Sequence, residues 1–443
     1  MAGVVVLGAG VAGEAFVAAL RRHDPGVEIA LVERGLVGGE CSYWACIPSK
    51  TLLRPLEVAY RACLAPGARE ALGRVDVAAV FAWRDAVAGK DDTSQAEWVR
   101  GLDVELVRGS AHVVGPGRVR VGRRELEYEH LVVATGSRPS APPIDGLEDG
   151  GYWTSREATS ASDVPPALVV VGGGAVGCEL AQFYARAGSR VTLVQRAHLL
   201  ERGDREAGEL LADVLREEGV DVRTGTTPST LDRGGPGFRL RCNGEMGGDV
   251  EGTHLLVATG RRPNVEGYGL DRLPVTLTRT GIEVDDHLRA ADGVWGAGDA
   301  TGVALFTHVG KYQARVAAAN VAGKETSANY RATPAVVFTD PQVAWVGDTS
   351  GADAVVATTR LENLSRTATY ERPKRPGFVK LFADPGRGVL VGAVAIGPEA
   401  GEWLGQLTLA IRAEIPVDVL RDTIQPFPTF SEAVFFAARD LPL

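Results

Sequence analysis

The sequence contains no uninterrupted apolar run that approaches the roughly 20 residues of a membrane-spanning helix. Positive charge is not in excess either, because 47 lysine and arginine residues stand against 56 aspartate and glutamate residues, a formal net charge of −9. A chain with that balance has no electrostatic reason to bind nucleic acid. Its 443 residues suffice for about three domains. We therefore expect a cytoplasmic protein with neither a membrane nor a nucleic acid as partner.

Cysteine is scarce as well, with 5 residues in the chain. So few cysteines, unevenly spread over this length, do not provide a disulfide framework. Cys63, Cys178 and Cys242 stand apart from one another and are predicted to be packing residues. Cys41 and Cys46 lie close together, but no further cysteine or histidine follows them at metal-ligand spacing. No metal site is therefore predicted.

Glycine, in contrast, is abundant at 55 residues, and many glycines follow apolar strands. Val4–Leu7 predicts a strand, and Gly8-Ala9-Gly10-Val11-Ala12-Gly13 follows it directly. A helix through Leu20, a strand over Glu28–Val32 and the acidic Glu33 complete the pattern. This order is that of a βαβ dinucleotide-binding unit, whose glycines let a pyrophosphate approach the first turn of the helix.

The same plan recurs in the second half of the chain. Leu168–Val171 predicts a strand, Gly172-Gly173-Gly174-Ala175-Val176-Gly177 follows, and a helix leads to the strand Arg190–Val194. Each copy later reaches an apolar strand that ends in Ala-Thr-Gly, at Gly136 and at Gly260. One such motif is weak evidence, because glycine-rich turns close many strand–helix corners. Two copies in register predict two nucleotide sites.

The first copy carries a segment that the second lacks, and this segment contains Cys41 and Cys46. Both thiols precede a predicted helix that has Pro48 near its first turn and Lys50 close by. A helix N-terminus and a cation both stabilise a thiolate, so we expect a redox pair with lowered pKa. The alternative, two apolar core cysteines, is disfavoured by the flanking Gly-Gly and Pro-Ser-Lys sequences.

The pattern of predicted strands and helices changes near Arg331. Beyond it, predicted strands alternate with predicted helices, the order of a separate α/β domain. The predicted strands are Ala335–Phe338, Phe378–Phe382 and Val389–Ile396, and the predicted helices Glu402–Glu414 and Pro416–Asp422, after an earlier helical stretch over Tyr312–Val321.

Together these features resemble the FAD-dependent pyridine nucleotide–disulfide oxidoreductases, the family of glutathione reductase, dihydrolipoamide dehydrogenase and mercuric reductase. The resemblance rests on both glycine motifs, the two-cysteine segment, both Ala-Thr-Gly strands, Gly296-Ala297-Gly298-Asp299 and the C-terminal pattern. It implies an α/β fold with two Rossmann-like, three-layer dinucleotide-binding domains and a C-terminal α+β dimerisation domain that forms a homodimer. The implied segments are 1–148 (FAD), 149–268 (NAD(P)), 269–331 (completing the FAD domain) and 332–443 (interface).

The resemblance also implies roles for individual residues. Cys46 would lie against the flavin ring, and Cys41 would be the interchange thiol that attacks the substrate. Lys50 would lie beside the flavin N5 and pair with Glu179, for which a helix-surface glutamate is the alternative.

An extended FAD site follows from the same resemblance. Gly8, Gly10 and Gly13 would admit the pyrophosphate, Glu33 would bind the adenosine ribose, and Asp299 the ribityl chain. The site would be completed by Arg34, Gly39, Lys50, Ala111, His112, Thr135, Gly136, Ser137, Leu305, Phe306, Thr307 and His308. The two histidines are expected to contribute main-chain atoms and no catalytic proton transfer, or to be ordinary polar loop residues.

The nicotinamide site would comprise Gly172, Gly174, Gly177 and Gly260. Where an NAD-binding unit carries an acidic residue, this chain has Gln195, followed by Arg196 and then Arg202. Arginine binds a 2′-phosphate, whereas a carboxylate repels it, so NADPH is expected and NADH is disfavoured. Two solvated loop arginines are the alternative.

The C-terminus departs from the family pattern. Members end with a His-Pro-Thr…Glu motif whose histidine, from the partner subunit, shuttles protons; here Phe427 takes the histidine position and Glu432 is retained. Aromatic residues occur there in mercuric reductase and in 2-ketopropyl-coenzyme M oxidoreductase/carboxylase. Mercury is disfavoured as substrate because we expect neither a C-terminal cysteine pair nor an N-terminal metal-carrying domain. A plain hydrophobic contact is the alternative role for Phe427.

The resemblance thus implies an enzyme in which NADPH reduces FAD, FAD reduces the Cys41/Cys46 disulfide, and Cys41 delivers the electrons to a small molecule. Since Phe427 replaces the proton shuttle, we expect a disulfide, thioether or other atypical electrophile as substrate. Two alternatives stay open. One is direct reduction of quinones, metal ions or oxygen by flavin or thiols, and the other is a redox-sensing or complex-bound flavoprotein subunit.

Overall fold

The computed structural model describes residues 2–235, 237–371 and 377–443. The chain divides into two compact units. The first comprises Met1–Pro48, Asp85–Ser140 and Gly260–Asn329, and the second comprises Ser49–Arg84, Ala141–Thr259 and Tyr330–Leu443. The four-segment division expected from the sequence stays a prediction.

Strands and helices alternate at the start of each glycine-motif unit, and runs of consecutive strands or consecutive helices make up most of the rest of the described chain. The strands are β1 (Ala2–Leu7), β2 (Ile29–Glu33), β3 (Glu105–Arg108), β4 (Ala111–Gly115), β5 (Arg118–Val121), β6 (Arg124–Val133), β7 (Ser137–Pro139), β8 (Ala167–Val171), β9 (Arg190–Val194), β10 (Asp221–Arg223), β11 (Thr226–Gly234), β12 (Gly237–Gly244), β13 (Gly248–Gly252), β14 (His254–Val257), β15 (Arg261–Pro263), β16 (Leu277–Thr278), β17 (Gly281–Ile282), β18 (Arg289–Ala291), β19 (Val294–Gly296), β20 (Pro334–Val337), β21 (Gln342–Gly347), β22 (Val355–Arg360), β23 (Phe378–Asp384) and β24 (Val389–Gly397). The α-helices are α1 (Val11–His23), α2 (Gly39–Tyr43), α3 (Cys46–Leu64), α4 (Val77–Val87), α5 (Thr93–Gly101), α6 (Ser155–Ser160), α7 (Ala175–Arg186), α8 (Arg205–Glu217), α9 (Thr307–Val321), α10 (Ala400–Trp403), α11 (Gly405–Arg412), α12 (Val417–Asp422) and α13 (Glu432–Arg439).

The first unit is built on a sheet with the order β18-β19-β6-β1-β2-β3. Strand β1 lies centrally and pairs in parallel with β2 and β6, with Val4 opposite Ile29 and His130. Its apolar run is buried, as expected for a parallel strand covered on both faces. Phe16 of α1 and Ala314 of α9 belong to one core cluster on this sheet.

The second unit repeats the parallel plan in the order β10-β9-β8-β14. Strand β8 pairs with β9 and β14, so the second glycine motif also follows a central strand. A separate antiparallel sheet, β20-β21-β24-β23-β22, forms the C-terminal part, and its core cluster includes residues of α11 and α13. The α/β fold with two dinucleotide-binding plans and a C-terminal α+β part is thereby confirmed.

Individual elements differ from the sequence predictions at their ends. The helix expected over Tyr312–Val321 begins earlier, at Thr307. The helix expected over Glu402–Glu414 consists of two helices, α10 and α11, because Leu404 ends the first and precedes the second. In the described ranges no helix combines the length and apolar character needed to cross a membrane.

Candidate active site

The first glycine motif forms a turn that admits only glycine at two positions. Gly8 has φ +103°, and a Cβ there would lie 2.4 Å from the carbonyl oxygen of Ala134. A Cβ at Gly13 would lie 1.9 Å from the carbonyl oxygen of Gly8. Both contacts are far shorter than van der Waals distance, so these glycines let α1 start directly against the strands.

The second motif has the same geometry. Gly172 has φ +110° and would place a Cβ 2.5 Å from the Ala258 oxygen, while a Cβ at Gly177 would lie 1.8 Å from the Gly172 oxygen. The Ala-Thr-Gly strand end therefore has one physical role in both copies: it closes over the first glycine of the turn.

The middle glycines face open space instead. A Cβ at Gly174 would meet no heavy atom within 4 Å, and at Gly10 the nearest atom would be Cα of Gly39, at 3.9 Å. Both residues are N-caps of helices, α7 and α1, without a side-chain cap. Each helix thus presents backbone N–H groups beside a clear approach, the arrangement that suits a pyrophosphate.

The glycine turn of each copy is held by a residue at the end of the second strand or directly after it, Glu33 at the end of β2 and Gln195 after β9. Glu33 Oε2 accepts a hydrogen bond from the Ala9 amide at 2.8 Å, and its Oε1 accepts one from the Gly35 amide at 2.7 Å. Gln195 does the same in the second copy, where its Oε1 accepts from the Gly173 amide at 2.9 Å.

The surroundings of Gln195 contain an acidic residue that the sequence analysis missed. Glu201 accepts hydrogen bonds from Gln195 Nε2 at 3.2 Å and from Arg196 Nε at 3.0 Å. Arg202 is exposed. Arg196 is therefore partly neutralised by Glu201, which lies six residues after Gln195 and stands next to Arg202 in the sequence.

The thiols lie in two consecutive helices of the two-cysteine segment. Cys41 is in the short helix α2, and Cys46 is the first residue of α3. The Thr307 hydroxyl, at the start of α9, lies 3.3 Å from both sulfur atoms. The segment is also tied to the first glycine turn, since the Gly38 amide donates to the Ala9 carbonyl at 2.8 Å. The structure therefore joins the thiol pair to the first nucleotide turn.

The expected lowering of thiol pKa is wrong for Cys41. A hydrogen bond with Cys46 and burial raise the pKa of the Cys41 thiol, while Thr307 and Lys311 act in the opposite direction. Helix and lysine effects were considered in the sequence analysis, but the second thiol was not. Two adjacent sulfurs do not readily both ionise, because the first negative charge disfavours the second.

Lys50 and Glu179 form an ion pair. Lys50 Nζ lies 2.8 Å from Glu179 Oε2 and 3.1 Å from its Oε1. Glu179 is only 4% exposed, so it is not a helix-surface glutamate. Its Oε1 also accepts a hydrogen bond from the Phe338 amide at 2.9 Å, and the Phe338 ring lies 4.5 Å from Lys50 Nζ.

Asp299 lies in a polar cluster of the first unit. Its Oδ2 accepts a hydrogen bond from the Ser137 hydroxyl at 2.5 Å, and Arg261 Nε donates to the same hydroxyl at 2.7 Å. Glu40 Oε2 lies 3.7 Å from Arg261. Burial raises the pKa of Asp299, and the bond from Ser137 and the charge of Arg261 lower it.

Arg261 and Glu40 were missed by the sequence analysis. A signal for Arg261 exists: it follows the second Ala-Thr-Gly as Ser137 follows the first, and the strands that begin at these two residues, β15 and β7, pair with each other. Glu40 has no such repeat, since it lies in the segment that only the first copy contains.

The other residues expected around FAD lie at strand and helix ends of the first unit. Ala111 and His112 begin β4, the Thr135 hydroxyl donates to the Asn264 carbonyl at 2.5 Å, and Arg34 lies 6.0 Å from the centroid of the Tyr268 ring. Gly39 (φ +63°), Gly136 (φ +70°) and Gly260 (φ +124°) have left-handed backbones, and Leu305, Phe306 and His308 flank Thr307, with the Phe306 and His308 rings stacked at 5.3 Å.

Phe427 lies in the loop between α12 and α13 and is 72% exposed. Glu432 begins α13, and its Oε2 accepts a hydrogen bond from the Thr429 amide at 3.2 Å. Ile424 in the same loop is 95% exposed. This loop therefore presents apolar side chains at its surface.

Comparisons with known proteins give the family. The profile described as pyridine nucleotide-disulphide oxidoreductase matches residues 2–326, and that of the same family's dimerisation domain matches residues 333–438. The chain belongs to the pyridine nucleotide-disulphide oxidoreductase family. A mercuric reductase of Shigella flexneri is 35% identical over 462 residues, 98% of this chain and 80% of the relative. A dihydrolipoyl dehydrogenase of Thermus scotoductus is 35% identical over 453 residues, 99% of this chain and 97% of the relative.

A solved structure shows the same fold. LpdA of Mycobacterium tuberculosis superposes with a TM-score of 0.87 at 26% sequence identity, over 98% of each chain. As a family member, this chain is an FAD-dependent oxidoreductase that uses NAD(P) and a redox-active disulfide centre. The residues present fit FAD, because the Gly10 turn leaves a clear approach to the α1 N-terminus that a side chain would fill.

Proposed function

We propose that the protein is an NADPH-dependent FAD oxidoreductase that passes two electrons to the Cys41–Cys46 disulfide and on to a disulfide, thioether or other electrophile. One observation carries the proposal. The sulfurs of Cys41 and Cys46 share the Thr307 hydroxyl, and the segment that holds them is hydrogen-bonded to the first glycine turn. A two-thiol centre fixed to a dinucleotide turn is suited to exchanging electrons with a bound cofactor.

The residues that would hold FAD are those of the first unit. Gly8, Gly10 and Gly13 would admit its pyrophosphate, Glu33 its ribose and Asp299 its ribityl chain, with Ser137 and Arg261 fixing the Asp299 carboxylate. Bound FAD supplies hydride acceptance from the nicotinamide and two-electron donation to a disulfide.

The chain's own chemistry is thiol–disulfide exchange. With a disulfide acceptor, the Cys41 thiolate attacks one acceptor sulfur, the acceptor's S–S bond breaks, and the other sulfur departs as a thiolate that takes its proton from solvent after release. Cys46 then attacks the Cys41 sulfur of the mixed disulfide, which releases the second thiol and restores the Cys41–Cys46 disulfide. Each turnover consumes one NADPH and one proton and gives two thiols.

The preference for NADPH is supported by Gln195. Its amide holds the Gly173 turn without placing a negative charge beside the cofactor ribose. Arg196 and Arg202 would bind the 2′-phosphate. Glu201 opposes them, because it pairs with Arg196, so we propose that the phosphate displaces Glu201 from this arginine.

Phe427 restricts the acceptor. A positioned acid–base group contributes about 10²–10⁴-fold to rate, and a phenylalanine supplies none of it. We propose a homodimer in which the exposed loop containing Ile424 and Phe427 covers the partner's substrate site, and an acceptor whose leaving group needs no protonation. Burial of such exposed apolar side chains favours association.

An anaerobic titration with NADPH, and with NADH in parallel, tests the proposal. Two electrons are expected to give a long-wavelength charge-transfer band and two new thiols, with NADPH acting at the lower concentration. A flavin that bleaches while the thiols stay oxidised would contradict the proposal. Cys63→Ser is a matched control that removes an exposed cysteine without touching the pair.

Direct reduction of metal ions is a second candidate, favoured by the relatives that are named mercuric reductases. A metal ion accepts electrons without a leaving group that must be protonated, so Phe427 does not hinder it. NADPH oxidation driven by a metal salt is measured in wild type, Cys41→Ser and Phe427→His. Metal-driven turnover that is lost in Cys41→Ser but retained in wild type and Phe427→His supports thiol-dependent metal reduction. A large gain of disulfide turnover in Phe427→His with no metal-driven turnover in wild type contradicts it.

A further inference from the structure

One face of helix α7 is bonded to a short segment that follows β20, Phe338–Asp340. Glu179, Gln182 and Arg186 occupy positions i, i+3 and i+7, so they share this face. Each of the three contacts the segment: Glu179 accepts from the Phe338 amide, Gln182 bonds the Asp340 backbone, and Arg186 pairs with the Asp340 carboxylate.

The anchors of this contact are buried and fully hydrogen-bonded. Gln182 accepts from the Asp340 amide at 2.8 Å and donates to its carbonyl at 2.9 Å, and Gln182 is 1% exposed. Arg186 lies 3.0 Å from Asp340 and 2.8 Å from Glu218, whose side chain is 1% exposed. Buried charge-assisted bonds of this kind hold a segment in one geometry.

Helix α3, which carries Lys50, contacts the same segment at two places. Lys50 Nζ lies 4.5 Å from the Phe338 ring, and three turns later Arg61 lies 3.4 Å from the Asp340 carboxylate. The segment therefore holds both members of the Lys50–Glu179 pair, one through its backbone amide and the other through an aromatic face.

We propose that Phe338 is a positioning residue for the Lys50–Glu179 pair, and that the Gln182–Asp340 bonds fix Phe338 in place. The proposal rests on the proposed function, and on the position beside the flavin that the family resemblance implies for Lys50. The segment lies within residues 333–438, the part of the chain matched by the dimerisation domain. The position of Lys50, the cation expected beside the cofactor, thus depends on a domain that itself contributes no residue to the glycine turns.

Four variants of the holoenzyme test this proposal. Phe338→Leu removes the ring but retains the backbone amide, and Phe338→Tyr retains both. Phe436→Leu is the matched control, because Phe436 is a half-buried ring that lies 5.1 Å from another cation, Arg439. Gln182→Met adds an independent disruption, since at similar side-chain volume it removes both bonds to the Asp340 backbone and also the bond to Glu218.

Two readouts are used besides turnover. The first is the rate at which an amine-reactive acylating reagent modifies Lys50, measured by peptide mass spectrometry. Lys380, which is paired with Asp204, serves as the internal reference. We expect Phe338→Leu to raise the Lys50 rate about threefold, as for loss of one half-exposed cation–π contact. The second is the two-electron potential of bound flavin, expected to fall by about 30 mV, a tenfold change in equilibrium constant.

The outcomes separate the two proposals. The positioning role is overturned if both Phe338→Leu and Gln182→Met leave the Lys50 acylation rate, the Lys380 acylation rate and the flavin potential unchanged. This holds even when the wild type shows the expected reduction of flavin and thiols, so the two proposals can fail separately. Equal changes in Phe436→Leu would overturn it too, because they would show a general loss of packing. Altered Lys50 acylation with an unaltered potential would support the positioning role but contradict the expected location of Lys50 beside the flavin. Recovery of wild-type values in Phe338→Tyr supports the role of the ring.

Discussion

The two glycine motifs are built to one plan but surrounded by different residues. The first and third glycines of each turn lie against equivalent carbonyl oxygens, and the distances from these oxygens to an added Cβ agree between the copies to about 0.1 Å. The side chain that holds the turn is a carboxylate in the first copy, Glu33, and an amide in the second, Gln195. Backbone packing therefore fixes the turn in both copies, while the side chain that holds the turn differs in charge between them.

The residue after the third glycine differs even more. In the first copy it is Glu14, whose pKa is raised to about 7 by burial, with Glu33 acting in the same direction and Lys311 in the opposite one. In the second copy it is Cys178, a fully buried thiol that donates to the Gly173 carbonyl at 3.4 Å. A titratable carboxylic acid thus occupies one site and a neutral packing group the other.

The largest expected effect tests the shared plan. In Gly177→Ala the new Cβ would lie 1.8 Å from the Gly172 oxygen, so α7 must shift, at a cost of about 3 kcal/mol or more. Gly174→Ala is the control, because its Cβ meets nothing within 4 Å. Calorimetric scans should show a lowered Tm only for Gly177→Ala, whereas the affinity for NADPH should fall in both. An equal loss of Tm in both variants would contradict this account of the turn.

The second prediction concerns the residue after the third glycine, where a titratable carboxyl group is replaced by a neutral side chain. Glu14 is protonated in the folded protein up to about pH 7 and in the unfolded chain only up to its usual value, so stability is lost as the pH rises from about 4.5 to about 7. Glu14→Gln removes this loss, which amounts to at most about 3 kcal/mol. The Tm difference between variant and wild type should therefore grow over that pH range. A difference that stays constant with pH would show that Glu14 does not titrate there.

The repeated plan could be predicted from the sequence because strand, glycine spacing and helix are all local patterns. The same repeat marked the Ala-Thr-Gly strand ends, but their packing against Gly8 and Gly172 was not predicted. Glu201 and the Phe338–Asp340 contacts could not be predicted, because they depend on side chains that meet only after distant segments fold together. The raised pKa of Cys41 was missed for a related reason: helix and lysine effects are visible in the sequence, but the desolvation and the shared hydrogen bond with Cys46 are not.

The third prediction makes the second glycine motif resemble the first in the charge of the residue that holds the turn. Gln195→Glu places a carboxylate where the first copy has Glu33, and it faces Glu201 as well. Repulsion of a 2′-phosphate costs about 2 kcal/mol, so the ratio of kcat/KM for NADPH to that for NADH should fall about 30-fold. Glu201→Gln should move the ratio in the opposite direction, since Arg196 is then released. A ratio that is the same in both variants would place the 2′-phosphate away from these residues.

The smallest expected effect concerns the segment that only the first copy contains. The Thr307 hydroxyl lies 3.3 Å from both sulfurs and lowers the pKa of Cys41, so Thr307→Val should raise that pKa further. The fraction of thiolate at a given pH then falls, and alkylation of the reduced pair should slow by less than about tenfold, as for loss of one hydrogen bond. Thr307→Ser retains the hydroxyl, so its thiols should be alkylated at the wild-type rate, which separates hydrogen bonding from packing at the start of α9.

Peptide mass spectrometry after timed alkylation measures Cys41 and Cys46 separately, with exposed Cys63 as the internal standard. Slower alkylation of both sulfurs in Thr307→Val would show that the hydroxyl stabilises whichever thiol ionises. Equal rates in all three proteins would instead show that the Cys41–Cys46 bond alone sets the ionisation of the pair.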